Sequence, residues 1–322
     1  MLKLDDVSKV YRVGAFGGRT MTAVSGVSFE VNAGEVVSLI GESGSGKSTI
    51  GRMILRLTSV SRGAITLDDT DISSVSSTRE YYRHVQGVFQ DPFSCFNPIF
   101  KADRVFAMIK EAYFPQVSAA DWRGRVESAL RSVRLDPGQV LGRYPHQLSG
   151  GQLQRMLIAR AVLLDIRLLV ADEIISMLDA STRIDVLNLL ADLRARGLGI
   201  LFVTHDLSLG NYVSDRTVVL RDGRIVEMGR TDLVFGDPRH PYTRSLLASV
   251  PRLDVKWTDE PDGEDGEAAD GAAGPCPYHD SPEESRTRPG LAEVEKDHFV
   301  TCSGCADHPP QAEPRSLAKE NA

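Results

Sequence analysis

The sequence predicts an α/β fold organised around a mainly parallel β-sheet, and three observations carry that expectation. Short apolar runs at residues 36–40, 168–171 and 200–203 have the length and composition of buried strands. Each run stops in polar residues: Gly41-Glu-Ser-Gly-Ser-Gly-Lys-Ser-Thr49, Asp172-Glu173 and Thr204-His205-Asp206. Helical stretches such as 183–196 separate the runs, so the strands are joined by crossovers and their chemistry collects at their C-terminal ends.

Earlier in the chain, Val27, Phe29 and Val31 alternate with polar residues as a half-buried strand does, and Asn32-Ala-Gly-Glu35 reads as a turn. After Thr49, Ile50, Met53, Ile54 and Leu57 recur at helical spacing, which makes the local order strand, glycine loop, helix. The pattern from about 92 to 147 is mostly helical, with candidate helices at 105–112 and 122–133, and predicts a helical subdomain inserted into the core. Residues 259–270 are dominated by Asp, Glu, Gly and Ala, a composition that buries too little apolar surface to order itself and reads as a linker. Beyond it, 275–322 is polar and proline-rich and promises no independent fold.

The 322 residues are 42% hydrophobic and 25% charged, the composition of a soluble globular protein. A net charge of -7 gives no general attraction to phosphate backbones, which argues against nucleic acid as a partner. The richest apolar stretch, 161–178, is interrupted by Asp165, Arg167, Asp172 and Glu173, so a membrane role is expected to be peripheral. The opening Met1-Leu-Lys-Leu-Asp-Asp lacks a secretory pattern, and four cysteines are too sparse for a disulfide scaffold; both fit the cytoplasm.

The spacing Gly41-x-x-x-x-Gly46-Lys47-Ser48 between strand and helix is that of a P-loop. Glycines let the backbone curl around a phosphate with its N–H groups inward, and the following helix adds its positive end. Gly41, Glu42, Ser43, Gly44, Ser45, Gly46, Lys47, Ser48 and Thr49 are therefore candidates for nucleotide binding. Lys47 would supply a cation to the β- and γ-phosphate oxygens and Ser48 a hydroxyl ligand for Mg²⁺. At a strand end, Asp172 would hold Mg²⁺ and Glu173 would polarise the attacking water.

At Leu148-Ser-Gly-Gly-Gln-Leu-Gln-Arg155 the sequence resembles the ATP-binding-cassette (ABC) family, over residues 1 to about 250. The resemblance implies a P-loop NTPase fold with a parallel core, an antiparallel β subdomain and the helical insertion. It also implies a head-to-tail dimer in which Ser149, Gly150, Gly151 and Gln152 of one subunit close on ATP held by the other. Tyr11 matches the aromatic that stacks on adenine, Gln90 the glutamine that senses Mg²⁺ and the γ-phosphate, Asp179 the loop crossing the interface, and His205 the switch histidine beside the catalytic Glu173. One departure is Ile174, where the family usually has proline; a local backbone change without lost chemistry is expected.

Residues 89–98 and Gly236-Asp-Pro-Arg-His-Pro-Tyr-Thr-Arg-Ser-Leu-Leu247 resemble the oligopeptide/dipeptide importer subfamily. That resemblance implies an ATP-hydrolysing subunit at the cytoplasmic face of the membrane, working with two membrane permease subunits, a solute-binding protein and a second ATPase subunit, identical or related. Some members import oligosaccharides instead, and a non-transport ABC ATPase is the further alternative. The segment 89–98 is expected to meet the permeases, with at least one of Phe93, Phe96 and Phe100 in the core. Members often carry a cysteine-rich extension at 251–322; here Cys276, Cys302 and Cys305 give three thiols where an iron–sulfur cluster takes four, leaving zinc or plain reduced thiols as alternatives.

Overall fold

A computed structural model describes residues 1–13, 18–249 and 291–301. The chain opens with β1 (Leu2–Val13) and β2 (Arg19–Val31), an antiparallel pair with Leu4 opposite Phe29 and Tyr11 opposite Met21. Val27, Phe29 and Val31 form the buried face of β2, as their alternation predicts. All five residues of β3 (Val36–Ile40) are buried, which a central parallel strand requires.

The glycine loop leads into α1 (Lys47–Ile54). Arg56 then takes φ +54°, the left-handed backbone that ends helices, so Leu57 lies past the helix on which its spacing had put it and is 57% exposed. Two short strands, β4 (Arg62–Leu67) and β5 (Thr70–Asp71), complete a four-stranded antiparallel sheet in the order β2-β1-β4-β5.

After α2 (Thr78–His84) and β6 (Val85–Val88) come the helices α3 (Arg104–Tyr113), α4 (Ala119–Ser132) and α5 (Pro137–Val140), where helical spacing predicted an insertion. Ser118 caps α4 by accepting the Asp121 N–H at 3.1 Å. The apolar faces of α3 and α4, including Phe106, Ile109, Trp122, Val126 and Leu130, share one core with Leu153, Met156 and Leu157 of α6 (Gly150–Val162). Phe96 joins that core at 8% exposure, whereas Phe93 and Phe100 stay exposed.

The remaining elements are β7 (Leu168–Asp172), α7 (Ala180–Ala195), β8 (Gly199–Val203), α8 (Leu207–Val213), β9 (Arg216–Arg221), β10 (Arg224–Arg230), α9 (Thr231–Gly236), α10 (Pro241–Ala248), β11 (Leu291–Glu295) and β12 (His298–Thr301). An eight-stranded sheet runs β11-β12-β10-β9-β3-β8-β7-β6, parallel from β9 to β6. Leu39 and Asp172 both register with Val203, so the loops after β3, β7 and β8 leave the sheet at one edge. Among the described residues no helix is long and apolar enough to cross a membrane.

The polar tail contributes the β11–β12 hairpin, which does not stand alone: it extends the sheet at β10, with Val300 opposite Glu227. The linker at 259–270 and the cysteines Cys276, Cys302 and Cys305 lie outside the described residues.

Candidate functional site

The loop after β3 has a shape only glycine allows at two points. At Gly41, φ is +148° and a Cβ would stand 2.2 Å from the Leu220 carbonyl oxygen. At Gly46, φ is +103° and a Cβ would stand 2.6 Å from that of Ala23. Gly46 caps α1 without a side chain, so the helix's first N–H groups remain for an anion, and the cradle fits a phosphate.

Lys47 is 5% exposed, and its Nζ donates to the carbonyls of Gly41 and Glu42, both at 2.7 Å. Burial lowers its pKa, while the nearby carboxylates of Glu173, Asp172 and Glu42 work in the opposite direction. Ser48 Oγ donates to Asp172 Oδ1 at 3.2 Å, which pairs the two expected Mg²⁺ ligands across the sheet edge. Burial pushes the Asp172 carboxyl above its ordinary value, and the Ser48 hydrogen bond opposes the shift.

Immediately after Asp172 the chain turns sharply. Glu173 takes φ +52°, left-handed backbone that costs a non-glycine residue about 1–2 kcal/mol. Its N–H donates to the Val203 carbonyl at 2.9 Å, and its own carbonyl accepts the Ser176 N–H at 3.2 Å and hydroxyl at 2.9 Å. A proline at 174 would bias Glu173 toward extended backbone; Ile174 leaves it free to turn and is itself buried, as is Ile175. The turn aims Glu173 Oε1 at His205 Nδ1, 3.2 Å away.

Gln90 is exposed two residues past Val88, the last residue of β6, which pairs with Ala171 of β7. Its segment is held from α6 by two residues that sequence reading missed: Gln154 Nε2 donates to the Phe89 carbonyl at 3.3 Å, and an Arg160 guanidinium N–H to that of Gly87 at 3.0 Å. Gln154 is wholly buried in the structure, and no feature of the sequence around it marks it as more than a polar residue on a helix. Tyr11 is half-buried on β1, with the Lys9 ammonium 5.0 Å from its ring centroid.

A second group gathers at the start of α6. Ser149 caps the helix by accepting the Gln152 N–H at 3.2 Å, and the Gln152 side chain accepts the Ser149 N–H at 2.9 Å. A Cβ on Gly151 would meet Thr182 Cγ2 at 2.4 Å, so this turn packs on the first turn of α7. Asp179 caps α7, accepting the Thr182 N–H at 2.9 Å and the hydroxyls of Ser181 and Thr182. Those donors, the Ser181 hydroxyl foremost, hold its carboxyl far below the usual carboxylate range. The expected site residues therefore fall into two groups, one around Lys47, Ser48, Asp172, Glu173 and His205, the other around Ser149 to Gln152 and Asp179. No hydrogen bond joins the two groups among the described residues.

A parallel core ending in a phosphate cradle, an antiparallel layer and a helical insertion carrying a second glycine turn define an ATP-binding cassette. Residues 24–176 match the family described as ABC transporter, and 226–286 match the oligopeptide/dipeptide transporter C-terminal region. The oligopeptide transport ATP-binding protein OppF of Salmonella typhimurium is 39% identical over 236 residues, 72% of this chain and 70% of that protein. OppF of Haemophilus influenzae is 38% identical over 241 residues, covering 74% and 72%. A dimeric ATP-binding cassette solved in a post-hydrolysis state with ADP and Pi superposes with a TM-score of 0.64 at 29% identity, covering 72% of this chain and 99% of that one. The chain belongs to the ABC transporter family.

Proposed function

We propose that this chain hydrolyses ATP to drive import of oligopeptides or dipeptides through separate membrane permease subunits, docked at the cytoplasmic face of the membrane. What carries the reading is the pairing of Ser48 with Asp172 beside the pairing of Glu173 with His205, both at the mouth of the phosphate cradle. The peptide cargo is supported by the OppF relatives and by the match at 226–286.

In this reading the loop from Gly41 to Thr49 binds the phosphates, Lys47 turns its ammonium from the loop carbonyls to the β- and γ-oxygens, and Tyr11 stacks on the base. Ser48 and Asp172, with Gln90, are the residues that would hold Mg²⁺, and the metal when bound offsets phosphate charge. Glu173 accepts a hydrogen bond from the attacking water, and His205 orients both the carboxylate and the γ-phosphate. The water oxygen bonds to phosphorus as the bond to the ADP oxygen breaks, and the proton the water gives up passes to the Glu173 carboxylate.

Ser149, Gly150, Gly151 and Gln152 contact the nucleotide of the partner ATPase subunit, which is why they stand apart from this chain's own cradle, and Asp179 lies at the same interface. The dimeric state of the superposed cassette supports this arrangement. A groove of about 410 Å³ lined by Leu57, Phe89, Val105, Met108 and Ile109 beside the Gln90 segment receives the permeases. Closure of the dimer on ATP shifts α3 and α4 against them, a population shift biased by γ-phosphate contacts.

The test is purification from membranes followed by ATPase assay. Two integral membrane proteins should accompany the chain, and a peptide-loaded binding protein should raise ATP turnover. Stimulation by an oligosaccharide-loaded binding protein, with none by peptide, would overturn the peptide cargo while leaving the ATPase role.

A further inference from the structure

The segment 236–247 marks the subfamily in the sequence, yet no step above uses it. Its Tyr242, buried at the start of α10, reaches the nucleotide loop: the Glu42 N–H donates to the Tyr242 hydroxyl at 3.1 Å. Glu42 is thereby held at both ends, because its carbonyl accepts Lys47 Nζ at 2.7 Å. Nearby, the Gly223 N–H in the β9–β10 turn donates to the Ser45 carbonyl at 3.0 Å. The outer side of the phosphate loop thus rests on the unit built from β9, β10 and α10, and the Arg221 guanidinium lies 5.2 Å from the Tyr242 ring centroid.

That unit is fixed in turn by the tail. Glu227, wholly buried on β10, accepts the Arg239 N–H at 2.8 Å and the His240 N–H at 2.9 Å, and its Oε1 accepts from His298 Nε2 at 2.7 Å. His240 Nδ1 then accepts the Tyr242 N–H at 3.1 Å, capping α10. His298, Glu227, His240, Tyr242 and Glu42 form a continuous hydrogen-bonded path from the β11–β12 hairpin to the nucleotide loop. Removal of His298 would leave a buried carboxylate short of a donor, a loss that must be absorbed along this path.

We infer that Tyr242 is a positioning residue for nucleotide binding and that the C-terminal hairpin, through His298 and Glu227, sets its position and so tunes the affinity of the loop for MgATP. The inference rests on the ATPase reading above. Tyr242 touches no phosphate in this scheme; it fixes the peptide from which Lys47 swings.

The experiment is calorimetric titration of the full chain with MgATP, alongside steady-state ATPase assays of the complex with its permeases. Tyr242→Phe removes one oxygen and should raise both the dissociation constant and KM for ATP about fivefold, with kcat unchanged. His298→Ala should give a similar loss, His298→Gln should recover it by restoring a donor to Glu227, and the Tyr242→Phe, His298→Ala double variant should lose no more than either alone. Unchanged affinity in Tyr242→Phe, while the wild type binds MgATP, would overturn the role of Tyr242. Additive losses, or no recovery in His298→Gln, would overturn the role of the hairpin. Failure of the wild type itself to bind MgATP would overturn the ATPase reading beneath both.

Discussion

His205 Nδ1 stands 3.2 Å from Glu173 Oε1, a contact between residues that follow neighbouring parallel strands, β7 and β8. The register of those strands and the left-handed turn at Glu173 bring the two together. If His205 orients the carboxylate and the γ-phosphate, His205→Ala should lower kcat for ATP about 100-fold and leave MgATP affinity within a few-fold. Phosphate release and equilibrium binding measured on one preparation separate the two effects.

In the proposed reaction Lys47 acts earlier, at nucleotide binding. Its ammonium is buried and spends its hydrogen bonds on loop carbonyls, so it can exchange them for phosphate oxygens with little movement. Lys47→Ala should weaken MgATP binding at least about tenfold, the worth of a charge-assisted hydrogen bond, while the fold's melting temperature changes little. Titration calorimetry and a thermal melt check both halves.

The Ser-Gly-Gly turn depends on close packing against α7. Gly151→Ala places a methyl against Thr182 Cγ2 and should cost about 1–3 kcal/mol of stability, read as a lowered denaturant midpoint. Thr182→Ser deletes that Cγ2 and keeps the hydroxyl bonded to Asp179, so it should recover most of the loss in the double variant.

Stability should also carry the titration of His240. Burial lowers its pKa from 6.5 to about 4, so between those values the unfolded chain binds a proton that the folded chain does not. Stability therefore falls as pH drops from 6.5 toward 4, by about 3 kcal/mol in total for this group. His240→Asn keeps a helix cap without a titrating ring and should flatten that part of the profile, measured as unfolding midpoints against pH.

The sequence was informative where chemistry is local. The glycine loop from Gly41 to Thr49 between strand and helix, and the polar residues that follow the apolar runs 168–171 and 200–203, are each contained in a few consecutive residues, and the structure puts the loop, helix and strands where those residues fall. Contacts made by folding were not legible. Nothing near Tyr242 says that its hydroxyl meets the backbone of a residue 200 positions earlier, and Gln154 reads as one more polar residue on a helix until its burial against Phe89 is known. The hairpin at 291–301 escaped for a related reason: it has too few apolar residues to fold by itself and acquires order by pairing with β10 and burying His298 on Glu227.

Glu173→Gln keeps the shape of the side chain and removes its capacity to take a proton, so it isolates the cleavage step from nucleotide binding. In the complex with its permeases, the variant should bind MgATP within about threefold of wild type and release phosphate at least about 100-fold more slowly. Phosphate release at the wild-type rate by that variant would contradict cleavage of ATP at the pairing of Glu173 with His205.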